Sequence, residues 1–544
     1  MKKALSLMLA LFLLLAVFAG CANTNTPAVS PTPSEAPVIS ATPEQPARIS
    51  QIIIGTAADL ETPSRAVYNF DVYSGTLLQL APVYIDANAE IRPLATTFET
   101  SDYKTWRLTV IDGLTWHDGT PVTADDIKFT IEYNALQSTG EAQTTYEAIN
   151  VINSSTVELV LPAANVRHLS SLTTLRLMPR HIFEGIEDYT TAALEQQVIG
   201  CGPYKFDSYN ADARTYTFKA YDNFIWGQPN VDTVIFRSFD SVDTLNLALK
   251  AHEIDMIYAY AGGVGAAAAE DFKTADGITL LPVKDSSNTA VFVFNNNTAP
   301  GNDINIRKAV AYAIDYDKFH ELFGSEYSVH STAGFVPKGT YGYIDTPELT
   351  RDLAKAREYL AAAGATGTDG VTTAQYNGAP LSIELMVRSD IPVYERYAEL
   401  LKANLAEVGI ELVFNITDVP NFREITEKTH TNQAMVTKFT AFGMSMGAGM
   451  GAGYMSGLGS SNGQGQIMDE AFDGIVQKLK SAASPEDYLA AAAECQRYYA
   501  DNMPAVALFW DSYIQAHSSE LDGFTVDGTF GILNVNTWYS IIKK

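Results

Sequence analysis

Four methionines lie within twelve residues of one glycine-rich segment, and they are the side chains whose type and spacing first suggest chemistry. They are Met444, Met446, Met450 and Met455. Thioether sulfur is a ligand that Cu(I) prefers, so one interpretation is a copper site. Methionine also forms adaptable apolar surface, and glycine allows close approach to the backbone. We therefore favour a pliable, uncharged pocket wall, in which Met444 is joined by Phe442 and Tyr454.

The other candidates for catalysis or metal binding are a His-Asp pair and two cysteines. His117 and Asp118 share one turn, and a lone pair of this kind is more often structural than metal-ligating. Cys201 and Cys495 could pair, but their separation leaves this open, and we favour two unpaired, buried thiols. We find no nucleophile elbow, no His-Glu-x-x-His motif and no convincing pair of carboxylates. The sequence therefore predicts a protein that is not an enzyme and has neither a metal site nor a cofactor.

Composition excludes several classes of protein. The 544 residues include 36 Lys+Arg and 63 Asp+Glu, for a formal net charge of −27. Nucleic-acid binding requires clustered basic residues, so this charge argues against it. A chain that is 47% hydrophobic and 11% aromatic can bury a large core, and three cysteines are too few for a disulfide scaffold. The length indicates two or three globular units.

The N-terminus has the pattern of an export signal. Lys2 and Lys3 precede a fifteen-residue apolar run that is shorter than a bilayer span. The run ends in Val-Phe-Ala-Gly before Cys21, which resembles the bacterial lipobox. We predict a signal peptide at 1–20, a lipid on Cys21 and a Pro/Ser/Thr-rich linker at 21–48. The alternative is an ordinary signal peptide followed by a chance cysteine.

The elements that must position a site alternate between strand and helix from Ile52 onward. Strands are predicted at 104–111, 215–220, 231–239, 290–295, 381–387 and 410–416. Helices are predicted from Thr123, at 241–251, 306–323, 351–363 and 394–408, and from the Ser-Pro-Glu-Asp start at Ser484. The order strand–helix–strand over 381–416 implies a right-handed βαβ unit.

Sequence blocks that follow one another along this body resemble a known family. They include Asp112-Gly113 with Trp116-His117-Asp118-Gly119-Thr120-Pro121, Gly200-Cys201-Gly202-Pro203-Tyr204, and the segments 223–227, 249–257, 294–315 and 398–410. Taken together, these blocks resemble the family 5 extracellular solute-binding proteins. These are the dipeptide-, oligopeptide- and nickel-binding components of ABC importers. The resemblance extends over about residues 50–544.

The resemblance implies a fold and a domain order. The expected fold class is α/β, a two-lobed periplasmic-binding-protein-like fold (type II, large cluster with an extra subdomain), with mixed sheets flanked by helices. We expect lobe I at 49–285 with a subdomain at about 80–200, lobe II at 286–505, and a return to lobe I at 506–544. The lobes would close on a ligand by hinge motion. The expected oligomeric state is a monomer.

Two arginines become candidate ligand-binding residues through the resemblance. The dipeptide-binding branch has an arginine for the ligand carboxylate at the position of Arg388. The alternative is a surface arginine paired with Asp390 or Glu395. The nickel-binding branch has an arginine for a chelator carboxylate at the position of Arg176, for which the alternative is a structural salt bridge. Trp510 is a possible stacking wall.

One expected residue is missing. The family commonly has an acidic anchor for a ligand amine after Lys438, but no acid occurs between Lys438 and Asp469. The leading prediction is an extracytoplasmic solute-binding lipoprotein, at the cell membrane in the periplasm or on the cell surface. It would deliver a peptide to an ABC permease and its ATPase. The alternatives are a receptor for a non-peptide solute, such as a metal-chelate or other organic anion, and a sensory receptor that is not coupled to import.

Overall fold

The computed structural model describes residues 47–86, 90–137, 145–259, 263–442, 455–458, 463–527 and 530–544. In these residues the helices are α1 (Tyr68–Leu78), α2 (Ala124–Gln137), α3 (His168–Thr174), α4 (Arg180–Phe183), α5 (Leu194–Gln197), α6 (Val242–Lys250), α7 (Ala266–Lys273), α8 (Ile304–Ala313), α9 (Tyr316–Phe323), α10 (Leu353–Ala362), α11 (Pro392–Ala406), α12 (Val419–Arg423), α13 (Glu470–Lys480), α14 (Pro485–Asn502) and α15 (Thr537–Ser540). The strands are β1 (Ile49–Thr56), β2 (Val83–Ile85), β3 (Ile91–Pro93), β4 (Thr96–Glu99), β5 (Thr105–Val110), β6 (Ala148–Val151), β7 (Thr156–Val160), β8 (Tyr204–Asn210), β9 (Thr215–Ala220), β10 (Val231–Ser238), β11 (Met256–Ile257), β12 (Ile278–Phe294), β13 (Gln375–Tyr376), β14 (Ala379–Pro380), β15 (Ser382–Arg388), β16 (Glu411–Thr417), β17 (Ala434–Phe442), β18 (Ala505–Ala507), β19 (Asp511–Ser518), β20 (Leu521–Asp522) and β21 (Ile542–Lys543).

The predicted signal peptide, Cys21 and most of the linker lie outside the described residues. The folded unit begins at Ala47, two residues before the predicted start of lobe I. Arg48 is already part of this unit, because its Nε donates to the Pro229 carbonyl at 3.1 Å and its guanidinium pairs with Asp232. Within the part of the chain that the structure describes, no helix is both long enough and apolar enough to cross a membrane.

One long strand organises the large mixed sheet, whose strand order is β16-β15-β17-β12-β19-β11-β1-β10-β9-β8. The N-terminal half of β12 pairs antiparallel with β19, and its C-terminal half pairs with β17 and β18. The predicted strand 290–295 is therefore only the end of a strand of 17 residues. The polar residues 284–288 give no strand pattern, and the pairing of β12 with β19 shifts register between Val283 and Ser287.

The predicted βαβ unit is confirmed by β15, α11 and β16. The two strands run parallel, in register from Ser382 opposite Glu411 to Arg388 opposite Thr417. Helix α11 covers them with a buried face at helical spacing, and Gly409 takes a φ of 80° where the chain turns into β16. This unit places the end of β15, and with it Arg388, at the carboxyl edge of the sheet.

The helix predicted at 306–323 is wrong as a single element. It is divided into α8 and α9, because the Asp315 side chain accepts a hydrogen bond from the Lys318 backbone N–H at 3.0 Å and caps a new helix. The side chain of Asp303 caps α8 in the same way. The predicted cap at Ser484 is confirmed, since its hydroxyl accepts from the Asp487 backbone N–H at 3.1 Å.

A separate four-stranded sheet, in the order β4-β5-β7-β6, lies within the range predicted for the subdomain. Its core contains the buried indoles of Trp106 and Trp116. The mixed sheets and the helices packed on them agree with the predicted α/β architecture. Cys201 and Cys495 are both buried and unpaired, as predicted.

Candidate functional site

The candidate site is built where β17, β12 and β19 lie side by side. Phe442, the last residue of β17, is opposite Ser287 of β12. The next residue of β12, Asn288, is opposite Asp511 at the start of β19. The end of β17 therefore lies across β12 from Asp511. The structure describes only the backbone of Phe442, and Met444 and Tyr454 lie outside the described residues.

Asp511 is a mostly buried carboxylate at this point of the sheet. Its Oδ1 accepts a hydrogen bond from the Ser325 hydroxyl at 2.8 Å. Burial raises the pKa of the Asp511 carboxyl, and the hydrogen bonds from Ser325 and Ser512 and the nearby His320 oppose this increase. Among the described residues, Asp511 forms no salt bridge.

A cavity of about 460 Å³ opens beside Asp511. Its walls come from the start of α7, the end of α9, the start of α11 and the segment before β19. The lining includes Ala266, Phe323, Tyr394, Arg396, Tyr397 and Phe509. This volume lies within the range of small-molecule pockets, and aromatic walls with a few polar groups are typical of them.

The aromatic wall of this cavity is tightly packed. The rings of Tyr394 and Tyr397 have centroids 5.8 Å apart, and Tyr397 meets Phe323 edge to face at 4.7 Å. The Arg396 guanidinium carbon lies 5.0 Å from the centroid of the Phe323 ring. Burial raises the pKa of both tyrosine hydroxyls, so they stay protonated and can act as hydrogen-bond donors.

Arg388 lies at the edge of the same region and forms the predicted alternative contact with Asp390. Its Nε and Nη2 donate to the two carboxylate oxygens at 3.0 and 2.6 Å. The hydrogen-bonded Asp390 raises the pKa of Arg388, and Tyr394 and Glu427 are also close enough to contribute. Its remaining nitrogen, Nη1, makes no hydrogen bond to the described residues. A ligand carboxylate would therefore meet Arg388 through Nη1.

Arg176 lies elsewhere, between α1 and the C-terminal segment. Its guanidinium carbon is 5.1 Å from the centre of the Phe530 ring. It rests directly on Gly75 of α1, where a Cβ would be 2.6 Å from the Arg176 Cζ. A small cavity of about 30 Å³, enough for a water molecule or two, adjoins Arg176 and Thr76. No contact among the described residues joins Arg176 to Arg388.

A second guanidinium is close to Arg176. Arg65 is 8% exposed, stacks 5.1 Å from the Phe183 ring centre, and has a buried Nε without a hydrogen-bond partner in the described residues. Burial lowers the pKa of Arg65, and the charge of Arg176 lowers it further, against the opposing effect of Asp71. Neither arginine forms a salt bridge with a carboxylate of the described residues, so the predicted structural alternative for Arg176 is not found among them.

Trp510 is part of the core. It is 2% exposed, and its ring contacts that of Phe335 edge to face at 6.2 Å. It also lines another cavity, of about 390 Å³, together with His330 and Lys338. A stacking role towards a ligand stays a prediction.

The His117 motif is structural. Its Nδ1 accepts from the Gly200 backbone N–H at 3.2 Å, and its Nε2 donates to the Gly202 carbonyl at 3.0 Å. A Cβ on either glycine would lie about 2 Å from the carbonyl oxygens that end α1, at 1.8 Å from Leu78 and 2.2 Å from Leu77. The Gly-Cys-Gly motif therefore allows α1 to pack against the turn that contains His117.

Sequence reasoning missed Asp511, Arg65 and Tyr394. The sequence did contain a signal for Asp511, because an acidic residue directly follows the apolar run 505–510. Arg65 had no such signal, since a lone arginine in a loop is normally exposed.

Comparison with known proteins decides the family. The model of the bacterial extracellular solute-binding proteins, family 5 Middle, matches residues 91–466. The chain belongs to this family. The predicted membership is thereby confirmed, and the family consists of extracytoplasmic binding proteins rather than enzymes. The lipoprotein form is still a prediction.

Relatives and solved structures agree with this assignment. A Brucella ovis protein named as an ABC transporter peptide-binding protein is 26% identical over 329 residues, 58% of this chain and 58% of that protein. The match thus spans less than two thirds of that relative. NikA from Brucella suis, in complex with Fe(III)-EDTA, has a TM-score of 0.80 at 17% identity, covering 91% of this chain and 100% of NikA. The oligopeptide-binding protein AppA from Bacillus subtilis, in complex with a nonapeptide, has a TM-score of 0.72 at 18% identity, covering 92% of this chain and 100% of AppA. The predicted fold class is confirmed by these similarities.

Proposed function

We propose that this protein captures a small carboxylate-bearing solute, a peptide being the leading class, and delivers it to an ABC permease driven by a separate ATPase. Lobes at 49–285 and 286–505, with a return at 506–544, would close on the ligand by hinge motion. Family membership supports this role, and the curated relative in Brucella ovis is named for peptide binding.

The observation that carries the proposal is the pair formed by Arg65 and Arg176. Burial lowers the pKa of Arg65, the charge of Arg176 adds to this effect and that of Asp71 opposes it, while no described carboxylate forms a salt bridge with either guanidinium group. A buried charge without a partner costs several kcal/mol. An anionic group supplied by a ligand would remove this cost, because guanidinium groups bind carboxylates through charge-assisted hydrogen bonds.

Arg388 would add a second contact for a ligand carboxylate. It follows a parallel strand, and the carboxyl ends of such strands commonly border ligand crevices. Asp390 holds its Nε and Nη2 in a fixed orientation, so Nη1 is preorganised rather than mobile. The proposed ligand site also includes Phe442, Met444, Tyr454 and Trp510.

Calorimetry with a peptide library tests the peptide class. Each peptide is measured as the free acid and as the C-terminal amide, and tighter binding of the acids is expected. If no peptide binds while another solute binds tightly, the peptide assignment is wrong. Native mass spectrometry of protein purified without refolding would show directly the mass of any retained ligand.

The second candidate is a non-peptide organic anion, including a metal-chelate complex. The adjacent guanidinium groups of Arg65 and Arg176 favour it, because one peptide carboxylate would satisfy only part of their hydrogen-bonding capacity. A retained mass with several carboxylates would support this candidate over a peptide.

The proposed location is the outer face of the cell membrane or the periplasm, with a lipid on Cys21 as the anchor. The linker that follows Cys21 is rich in Pro, Ser and Thr and would act as a spacer. The proposed protein is a monomer with no nucleic-acid partner.

A further inference from the structure

Asp511 is a charged residue whose surroundings disfavour its charge. It borders the cavity of about 460 Å³, and burial raises the pKa of its carboxyl. Its described hydrogen bonds, among them the 2.8 Å contact from the Ser325 hydroxyl, come from neutral donors of Ser325 and Ser512. A buried carboxylate is stable as an anion only when a cation or several hydrogen bonds compensate for the lost water.

The nearby basic side chains form other contacts. Arg396 lines the same cavity but lies over the Phe323 ring. The ring of His320 is oriented by its Nε2 contact with the Ser328 carbonyl at 3.0 Å. Lys338 lines the other cavity that Asp511 borders, and no salt bridge joins them among the described residues. Among the described residues, no basic side chain therefore forms a salt bridge with Asp511, and His320 is the one whose charge opposes the effect of burial on its pKa.

The cavity walls favour one kind of cation. Tyr394, Tyr397 and Phe509 line the cavity beside Asp511, and aromatic rings attract ammonium groups through their negative faces. A carboxylate together with aromatic walls is the chemistry that selects an organic ammonium over a hydrated metal ion. A metal ion would require several oxygen ligands, and no cluster of three or more acidic, His or Cys side chains suited to a metal occurs in the described residues.

We propose that Asp511 is the anchor for a primary ammonium group of the ligand, with Tyr397 and Phe509 as the adjoining walls. This inference deepens the proposed function and rests on it. It adds a subsite for the ammonium group of a ligand whose carboxylate binds an arginine. It also accounts for the absence of an acid between Lys438 and Asp469. The acid comes from β19, which reaches the same level of the sheet as the end of β17.

The test compares wild-type protein with Asp511→Asn and with the control Asp317→Asn. In Asp511→Asn, the amide oxygen would still accept the hydrogen bond from the Ser325 hydroxyl. Asp317 is a suitable control because its side chain lies on neighbouring α9 and is 93% exposed. The probes are Phe-Ala, Phe-Ala-Ala and Phe-Ala-Ala-Ala, each with a free and with an acetylated N-terminus, measured by calorimetry. Circular dichroism and the melting temperature verify the fold of each variant.

We expect Asp511→Asn to bind the free-amine peptides about 10- to 100-fold more weakly, the range for loss of a charge-assisted hydrogen bond. Acetylation should weaken binding to the wild type by a similar factor and should change nothing further in Asp511→Asn. Asp317→Asn should bind like the wild type. Equal affinity of wild type and Asp511→Asn for the free-amine peptides would overturn the inference and leave peptide capture intact.

If the wild type binds no peptide, that result counts against peptide capture. A second measurement then tests the ammonium subsite separately from peptide capture. Phenethylamine is then added at millimolar concentration in a thermal-shift assay. An increase in melting temperature for the wild type, absent in Asp511→Asn, would support the ammonium subsite on a non-peptide ligand. No increase in either protein would overturn the subsite as well.

Discussion

Replacing Gly75 by alanine should move the Arg176 guanidinium without removing it. The added Cβ would lie 2.6 Å from Cζ and Nη2 and 2.9 Å from Nη1 of Arg176. Ordinary contact at a Cβ begins at about 3.4 Å, so the guanidinium must shift by roughly 1 Å. The backbone of α1 has no reason to move, because the obstructing atoms are the far end of a flexible side chain.

The expected cost to stability is small because two effects oppose each other. Alanine in the interior of a helix is favoured over glycine by about 1 kcal/mol. Displacement from the Phe530 ring loses a cation–π contact of about 0.5–2 kcal/mol. The free energy of unfolding should therefore change by about 1 kcal/mol or less, which chemical denaturation can measure.

The expected loss of binding free energy in Gly75→Ala is larger than the expected change in the free energy of unfolding. If Arg176 holds a ligand carboxylate, a shift of about 1 Å removes a charge-assisted hydrogen bond worth about 1.5–3 kcal/mol. Affinity for the free-acid ligand should fall about 10- to 100-fold in calorimetry, with little change for its C-terminal amide. Gly75→Ala combined with Arg176→Ala should bind no more weakly than Arg176→Ala alone. Wild-type affinity in Gly75→Ala would refute the assignment of Arg176 to the ligand site.

Three further predictions concern the anchor, the second arginine and the pH dependence. Cys21→Ala should release the protein from the membrane fraction, and persistence there on an immunoblot would contradict lipid anchoring. Arg388→Ala should weaken calorimetric binding of free-acid peptides about tenfold or more without loss of fold, whereas unchanged affinity would leave Arg388 as a surface partner of Asp390. Burial lowers the pKa of His117 and of His168 from 6.5 to about 4. The unfolded state thus takes up protons first as the pH falls, and stability should be lost from about pH 6.5 down to pH 4, by ~2 kcal/mol per histidine at pH 5. His168→Phe fits between Trp106 and Tyr146 and should recover about half of this loss in urea titrations at pH 5. Equal stability of the wild type at pH 7 and pH 5 would contradict the argument.

Elements defined by local signals were predictable. The Ser484 cap, the helix that ends before Gly409 and the alternation of β15 each depend on residues within a few positions of one another. The βαβ unit follows from the order of such elements, and it positions Arg388 at the end of a strand. The break at Asp315 was missed because an apolar period continued through it, although a side-chain cap there is more stable than another helical turn.

The length of β12 was not predictable from residues 284–288. Their residue types give no strand pattern, and the strand resumes at Ser287 and Asn288 because Ser512 and Asp511 of β19 lie opposite them. Pairing between strands that are distant in sequence depends on the tertiary structure, because the partner strand supplies hydrogen bonds that the local sequence cannot specify.

The sequence by itself pointed to the family, because ordered motifs are local properties of the chain, and the resemblance to that family implied the fold class and the arginine candidates. Only the tertiary structure decided which charges form no salt bridge within the described part of the chain. The two guanidinium groups of Arg65 and Arg176 come from segments more than a hundred residues apart. Asp511 reaches the level of Phe442 through the register of three strands. The burial and pairing of a charge depend on what the whole fold packs around it, and no stretch of sequence contains that information.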